Sequence, residues 1–128
     1  NEINKPLKAL NFYEKELIKT PQDLGLIQTI ASLYLETMQY ELAVEFTLRQ
    51  LEFFPTQIQL YLICGQAQFH LQRWGAALDL LEIGLDYIFE DNEIAERYYI
   101  LMADLYTKNN NIAKVKTFND KAKALNRQ

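Results

Sequence analysis

Residues 27–55 read IQTIASLYLETMQYELAVEFTLRQLEFFP, and residues 61–89 read YLICGQAQFHLQRWGAALDLLEIGLDYIF. Laid over each other at a shift of 34, Ala31 meets Gly65, Tyr40 meets Trp74, Ala43 meets Ala77 and Pro55 meets Phe89. Small residues fall on small ones and aromatics on aromatics. A further step of 34 toward the start puts Ala9 under Ala43, Tyr13 under Thr47 and Pro21 under Pro55. Self-similarity at this period marks a solenoid of stacked helical hairpins, in which no unit buries its apolar face alone.

Within each copy the apolar residues recur at helical spacing, and the chain reads as seven helices. The first runs from about Pro6, a residue suited to a first turn, to Lys19. Leu10, Tyr13, Leu17 and Ile18 are its expected buried stripe. Thr20-Pro21 ends it, because the residue before proline avoids helical angles. Further helices are expected over about 23–37, with Ile27, Ile30, Ala31 and Tyr34 inward, and over 40–53, with Leu42, Ala43, Phe46, Phe53 and Phe54 partly buried. Helices over 57–71, 74–88, 92–108 and 112–126 follow. Asn109-Asn110-Asn111 supplies a turn, since asparagine tolerates the left-handed backbone that ends a helix. Connections of two to four residues make successive helices antiparallel.

Composition narrows the function classes. The 128 residues are 49% hydrophobic and 23% charged, with 4 glycines and 3 prolines, which suits one nearly all-helical domain. A net charge of −4 argues against an electrostatic nucleic-acid binder, which needs a basic stripe. No apolar run approaches the roughly 18 residues that membrane insertion requires. No signal peptide precedes the fold, and an opening Asn1 in place of Met is what an excised segment would show. Charge is unevenly spread. Asp79, Glu82, Asp86, Glu90, Asp91, Glu93 and Glu96 stand in a stretch without lysine or arginine, whereas Lys108, Lys114, Lys116, Lys121, Lys123 and Arg127 face Asp120 alone. These are read first as solvated helix faces. The alternative is a self-association in which acidic and basic ends dock.

Nothing in the chain supports catalysis. Cys64 sits in the apolar run Tyr61-Leu62-Ile63 and reads as a buried small hydrophobe. His70 is six residues away, off that helical face, and no set of four metal ligands accompanies it. It reads as a groove-edge or solvent residue. Glu14 with Glu16, and Glu93 with Glu96, lack a base, nucleophile or metal beside them and read as surface charges. No glycine-rich phosphate loop is present, and no cofactor is expected.

The repeated positions resemble the tetratricopeptide repeat, whose signature pairs small residues in two helices among aromatics and closes on proline. Residues 24–57 carry it as Ile27, Ile30-Ala31, Tyr34, Tyr40, Ala43 and Pro55. Residues 58–91 carry Tyr61, Cys64-Gly65, Trp74, Ala77 and Gly84, with Phe89 in place of the proline. Gln68 departs from the aromatic the family prefers there, with Phe69 adjacent as a partial substitute. Residues 96–128 offer Tyr99, Met102-Ala103, Tyr106, Ile112, Val115, Phe118 and Ala122, and residues 6–21 match only the second half of a unit. Ala103 follows Gly65 by 38 positions, so four residues have been added around Phe89–Glu96 and should lengthen a helix or loop. The resemblance implies a single all-α domain, a right-handed superhelical solenoid of antiparallel hairpins. Small residues are expected at each helix crossing, Ala31 against Ala43 and Gly65 against Ala77, with Tyr40 and Trp74 holding the next hairpin.

In such a fold the first helix of each hairpin lines a concave groove. The expected lining is Gln28, Ser32 and Leu35, then Gln59, Leu62, Gln66 and Phe69, then Arg97, Ile100, Asp104 and Thr107. Amides suit a peptide backbone and apolar side chains suit alternate residues of a segment, so the resemblance implies a protein-interaction module. Relatives that clamp chaperone carboxylates use lysine and asparagine where this chain has Gln28 and Ser32, which argues against that specificity. Its single groove arginine, Arg97, likewise argues against the related RNA readers. A regulatory domain within a larger enzyme or assembly factor remains a further reading of the same architecture.

Overall fold

The computed structural model describes residues 4–89 and 92–126. Among them are seven α-helices: α1 (Asn4–Lys19), α2 (Leu24–Glu36), α3 (Tyr40–Phe53), α4 (Ile58–His70), α5 (Trp74–Gly84), α6 (Asn92–Lys108) and α7 (Ile112–Leu125). A 3-10 turn, Leu85–Tyr87, follows α5. Each helix packs on its successor, and α4 also packs on α2 and α6. The chain is an all-α solenoid, with α2, α4 and α6 side by side and the other helices behind them. Glu90 and Asp91 of the acidic run, and Arg127 of the basic one, lie outside the described residues.

The period of 34 appears in the turns as geometry. Met38, Gln72 and Asn110 hold φ of 60°, 61° and 58°, each just past the end of α2, α4 or α6. In every case the amide of that residue donates to the carbonyl three back (Leu35, Phe69, Thr107) at 3.0–3.1 Å. The next amide (Gln39, Arg73, Asn111) donates to the carbonyl five back (Tyr34, Gln68, Tyr106) at 2.8–3.0 Å. This is the Schellman arrangement, which satisfies the last carbonyls of a helix. The second donor's residue is also the N-cap of the next helix, so the chain reverses in three residues each time.

The four added residues are one extra helical turn. Helices α2 and α4 each span 13 residues and start 34 apart, whereas α6 spans 17 and ends 38 after α4. The difference, 17 − 13 = 4, falls at the start of α6. Below that turn Tyr98 is fully buried and donates its hydroxyl to the Leu81 carbonyl at 2.6 Å. It comes so close to Gly84 that a Cβ there would stand 2.8 Å from Tyr61 Cγ and nearer still to the Tyr98 oxygen. Glycine is required here by close approach. Helix α5 ends at this residue, which divides the single helix expected over 74–88.

The core follows the repeat. Ile27, Ile30, Ala31, Leu60, Ala67, Ala77, Leu81, Met102 and Leu105 are wholly buried. Helix α4 is apolar nearly all round, with Leu60 through Gly65, Ala67 and Gln68 buried, because it has helices on every side but one. Gly65 takes Leu81, one turn beyond Ala77; an added Cβ would lie 2.9 Å from that side chain. Cys64 is buried as expected, and burial raises its thiol pKa against a weaker opposing pull from Thr47. Three expectations of burial are corrected. Ile18, Leu42 and Phe53 are 81%, 44% and 66% exposed, because they project from the outer faces of α1 and α3, where no further helix covers them.

Candidate interaction groove

Side chains on α2, α4 and α6 repeat in rows across the three helices. Gln28, Leu62 and Ile100 occupy equivalent places, as do Ser32, Gln66 and Asp104, and then Leu35, Phe69 and Thr107, at offsets of 34 and 38. Of the residues the sequence assigns to the groove, Gln28, Ser32, Leu35, Gln59, Gln66 and Phe69 are half-buried, and Arg97, Ile100, Asp104 and Thr107 are exposed. Leu62 is corrected. It is 1% exposed and belongs to the core, since its helix is flanked by α2 and α6 while Gln28 and Ile100 each have a free side.

An open cavity of about 390 Å³ brings Gln28, Ser32 and Gln59 together with Gly25, Thr29, Leu33 and Glu36. Thr29 and Glu36 were not foreseen. Glu36 was findable, because it continues the i, i+4 stripe of Gln28 and Ser32. Leu35, Gln66, Phe69, Arg97, Ile100 and Asp104 do not line this cavity; they extend the same face across α4 and α6.

Two acceptors stand in the middle of that face. The Gln66 Oε1 atom is buried and receives no hydrogen bond among the described residues. Burial pushes the Asp104 carboxyl above its ordinary range, with Lys108 pulling weakly the other way. Lys108 itself is held over aromatic rings, its Nζ 5.2 Å from the Trp74 centroid and 6.0 Å from that of Phe69.

The upper rim is aromatic. Tyr40 stacks on His70 at 4.5 Å and 6°, Phe69 meets His70 edge-on at 6.2 Å, and Phe69 meets Trp74 edge-on at 5.1 Å. With Lys108 over Phe69 and Trp74, this chain of rings ties three hairpins together, the role expected of Tyr40 and Trp74. Arg73 adds an ion pair to Glu41 of the preceding hairpin. His70 is exposed at the rim, as its position in the sequence implies. Phe69 does not stand in for the missing aromatic at Gln68: its ring lies against Trp74, while Gln68 is 6% exposed with its own Oε1 unpartnered.

Known structures share this fold. MamA AMB-1 superposes with a TM-score of 0.76 over 94% of this chain and 69% of that one, at 20% identity. MamA from Desulfovibrio magneticus RS-1, residues 41 to the end, also gives 0.76, over 98% and 69% at 15% identity. MamA MSR-1 gives 0.74 over 96% and 68% at 18% identity. The fold is a tetratricopeptide-like helical solenoid. At such identities the likeness is one of fold. No protein-family profile and no curated protein sequence matches the chain. Among the described residues, no helix is long and apolar enough to cross a membrane.

Proposed function

We propose that the chain is a member of the tetratricopeptide repeat family and a protein-interaction module. It takes a segment of a partner protein along the groove of α2, α4 and α6. The observation that carries this reading is the open cavity in which Gln28, Thr29, Ser32, Glu36 and Gln59 converge from two successive hairpins. Hydrogen-bonding side chains gathered on an open face, beside apolar Leu35, Phe69 and Ile100, fit an extended segment whose backbone and alternate side chains are read separately. The frame is held by core packing, so little ordering cost falls on this side of the complex. Stacking through the charged ends has less behind it. Lys116 pairs with Asp120 at 2.7 Å and Lys121 lies over the Tyr99 ring at 5.8 Å, so two lysines of the last helix are already engaged.

The test is a set of peptides selected on this protein from a random displayed library. Ser32→Tyr and Ile100→Arg are expected to weaken them about tenfold or more, the loss typical of disturbing a central contact. Leu48→Arg, on the exposed face of α3, is expected to leave them unchanged, with circular dichroism verifying that all variants remain helical. Loss with Leu48→Arg alone would move the binding surface to the convex side.

A further inference from the structure

We propose that the bound segment places a basic side chain, lysine or arginine, at the row Ser32–Gln66–Asp104. This inference rests on the groove reading above and specifies its occupant. The rows on either side present apolar groups, Ile100 below and Leu35 and Phe69 above, so this row is the polar band that crosses all three helices.

The band carries one charge, the Asp104 carboxylate, beside two neutral side chains, Ser32 and Gln66, that can accept as well as donate. Lys108 of α6 contacts the ring of Phe69 of α4, and α4 and α6 run in the same direction, being the first helices of successive hairpins. One turn earlier on each helix stand Gln66 and Asp104, at the same level of the groove. Gln66 presents a buried Oε1 with no donor, and Asp104 presents a partly desolvated carboxylate that no ion pair reaches among the described residues. Lys108 is the obvious internal cation, and its Nζ is committed to the faces of Trp74 and Phe69. Arg97 lies two turns earlier on α6, about 10 Å along the axis, and Glu36 stands at the far end of α2 in the same cavity as Ser32. An incoming ammonium or guanidinium would pair with the exposed Asp104 carboxylate, and a rotation of the Gln66 amide would turn its unpartnered Oε1 out to the same cation, whose aliphatic stem would lie along Phe69 and Ile100. An acidic side chain would meet the Asp104 carboxylate, with no cation in the row to offset it.

The experiment is an NMR titration of the labelled protein with three probes: acetyl-Ala-Ala-Arg-Ala-Ala-amide and the same peptide with Glu or Gln at the centre. The arginine probe is expected to shift the signals of Gln66, Phe69 and Asp104, and to bind about tenfold more weakly to Asp104→Asn, as loss of a charge-assisted hydrogen bond requires. The Gln66→Leu variant should weaken it as well, and the glutamate probe should leave these signals in place. Equal shifts with all three probes, or an arginine affinity untouched by Asp104→Asn, would overturn the proposal. A glutamate probe that shifts the groove would sink the basic occupant while leaving the groove reading standing. Shifts confined to α3 and α5 would remove both. No shift with any probe would also overturn this inference, and the selected peptides decide the groove separately.

Discussion

Asp104 is a carboxylate in a place that resists its charge, with burial the dominant cause and Lys108 only partly compensating. A folded-state pKa above the unfolded one means that the native protein holds this proton more tightly than the unfolded chain does. The penalty is absent below the ordinary aspartate value of about 3.9 and grows as pH rises through the raised folded value. Asp104→Asn is therefore expected to melt slightly higher than the parent at pH 7. That gap should close toward pH 3, when thermal melts are compared across this range. A gap that persisted at pH 3, or a lower melting point at pH 7, would show that the carboxylate is structurally satisfied. A second residue-scale pattern concerns Tyr34 and Tyr106. Each hydroxyl donates to a glutamate of the preceding hairpin, to Glu14 at 3.2 Å and to Glu82. The middle copy has Gln68 and Leu48 at the equivalent places, and there Oε1 of Gln68 lacks a partner. The departure at Gln68 was legible in the sequence. That Phe69 points elsewhere was not, because its direction is set by Trp74 and Lys108 from other helices.

The helices and their turns were largely readable, and the exceptions have a shared cause. Asn109-Asn110-Asn111 announces a left-handed residue, and Asn110 is one. Met38 and Gln72 adopt the same backbone without any such preference, held there by the paired hydrogen bonds of the Schellman turns and by packing of the hairpins. A left-handed non-glycine residue costs roughly 1–2 kcal/mol, and glycine returns part of this as unfolded-state entropy. Met38→Gly and Gln72→Gly should thus each stabilise by about 0.5–1 kcal/mol. Asn110→Gly should do less, since asparagine is already tolerant. Chemical denaturation of the three variants checks the order; destabilisation by Gln72→Gly would mean that its side chain matters more than its backbone. The extra turn of α6 was visible as a count of four residues. The early end of α5 was not, since it comes from Tyr98 packing onto Gly84 across a helix boundary.

For the whole molecule, one period decides the architecture: the same offset places the crossings, the turns and the rows of the groove. What the period conceals is that equivalent residues do not have equivalent neighbours. Leu62 shares a row with Gln28 and Ile100 yet is buried, because α4 alone of the three has a first helix on each side. Ile18, Leu42 and Phe53 err in the other direction: apolar residues at helical spacing, on faces that no further helix covers. Reading a groove from sequence therefore needs the position of each hairpin in the stack as well as the face of each helix. The central claim is that the face of α2, α4 and α6 is where a partner protein binds. It is tested most directly by a photo-cross-linking amino acid placed at Ile100 on α6 and, separately, at Leu48 on α3, both exposed to a similar degree at 42%. After irradiation in extract of the source cells, a discrete adduct is expected from position 100 and not from position 48. Adducts from position 48 alone, or the same adducts from both, would contradict the account.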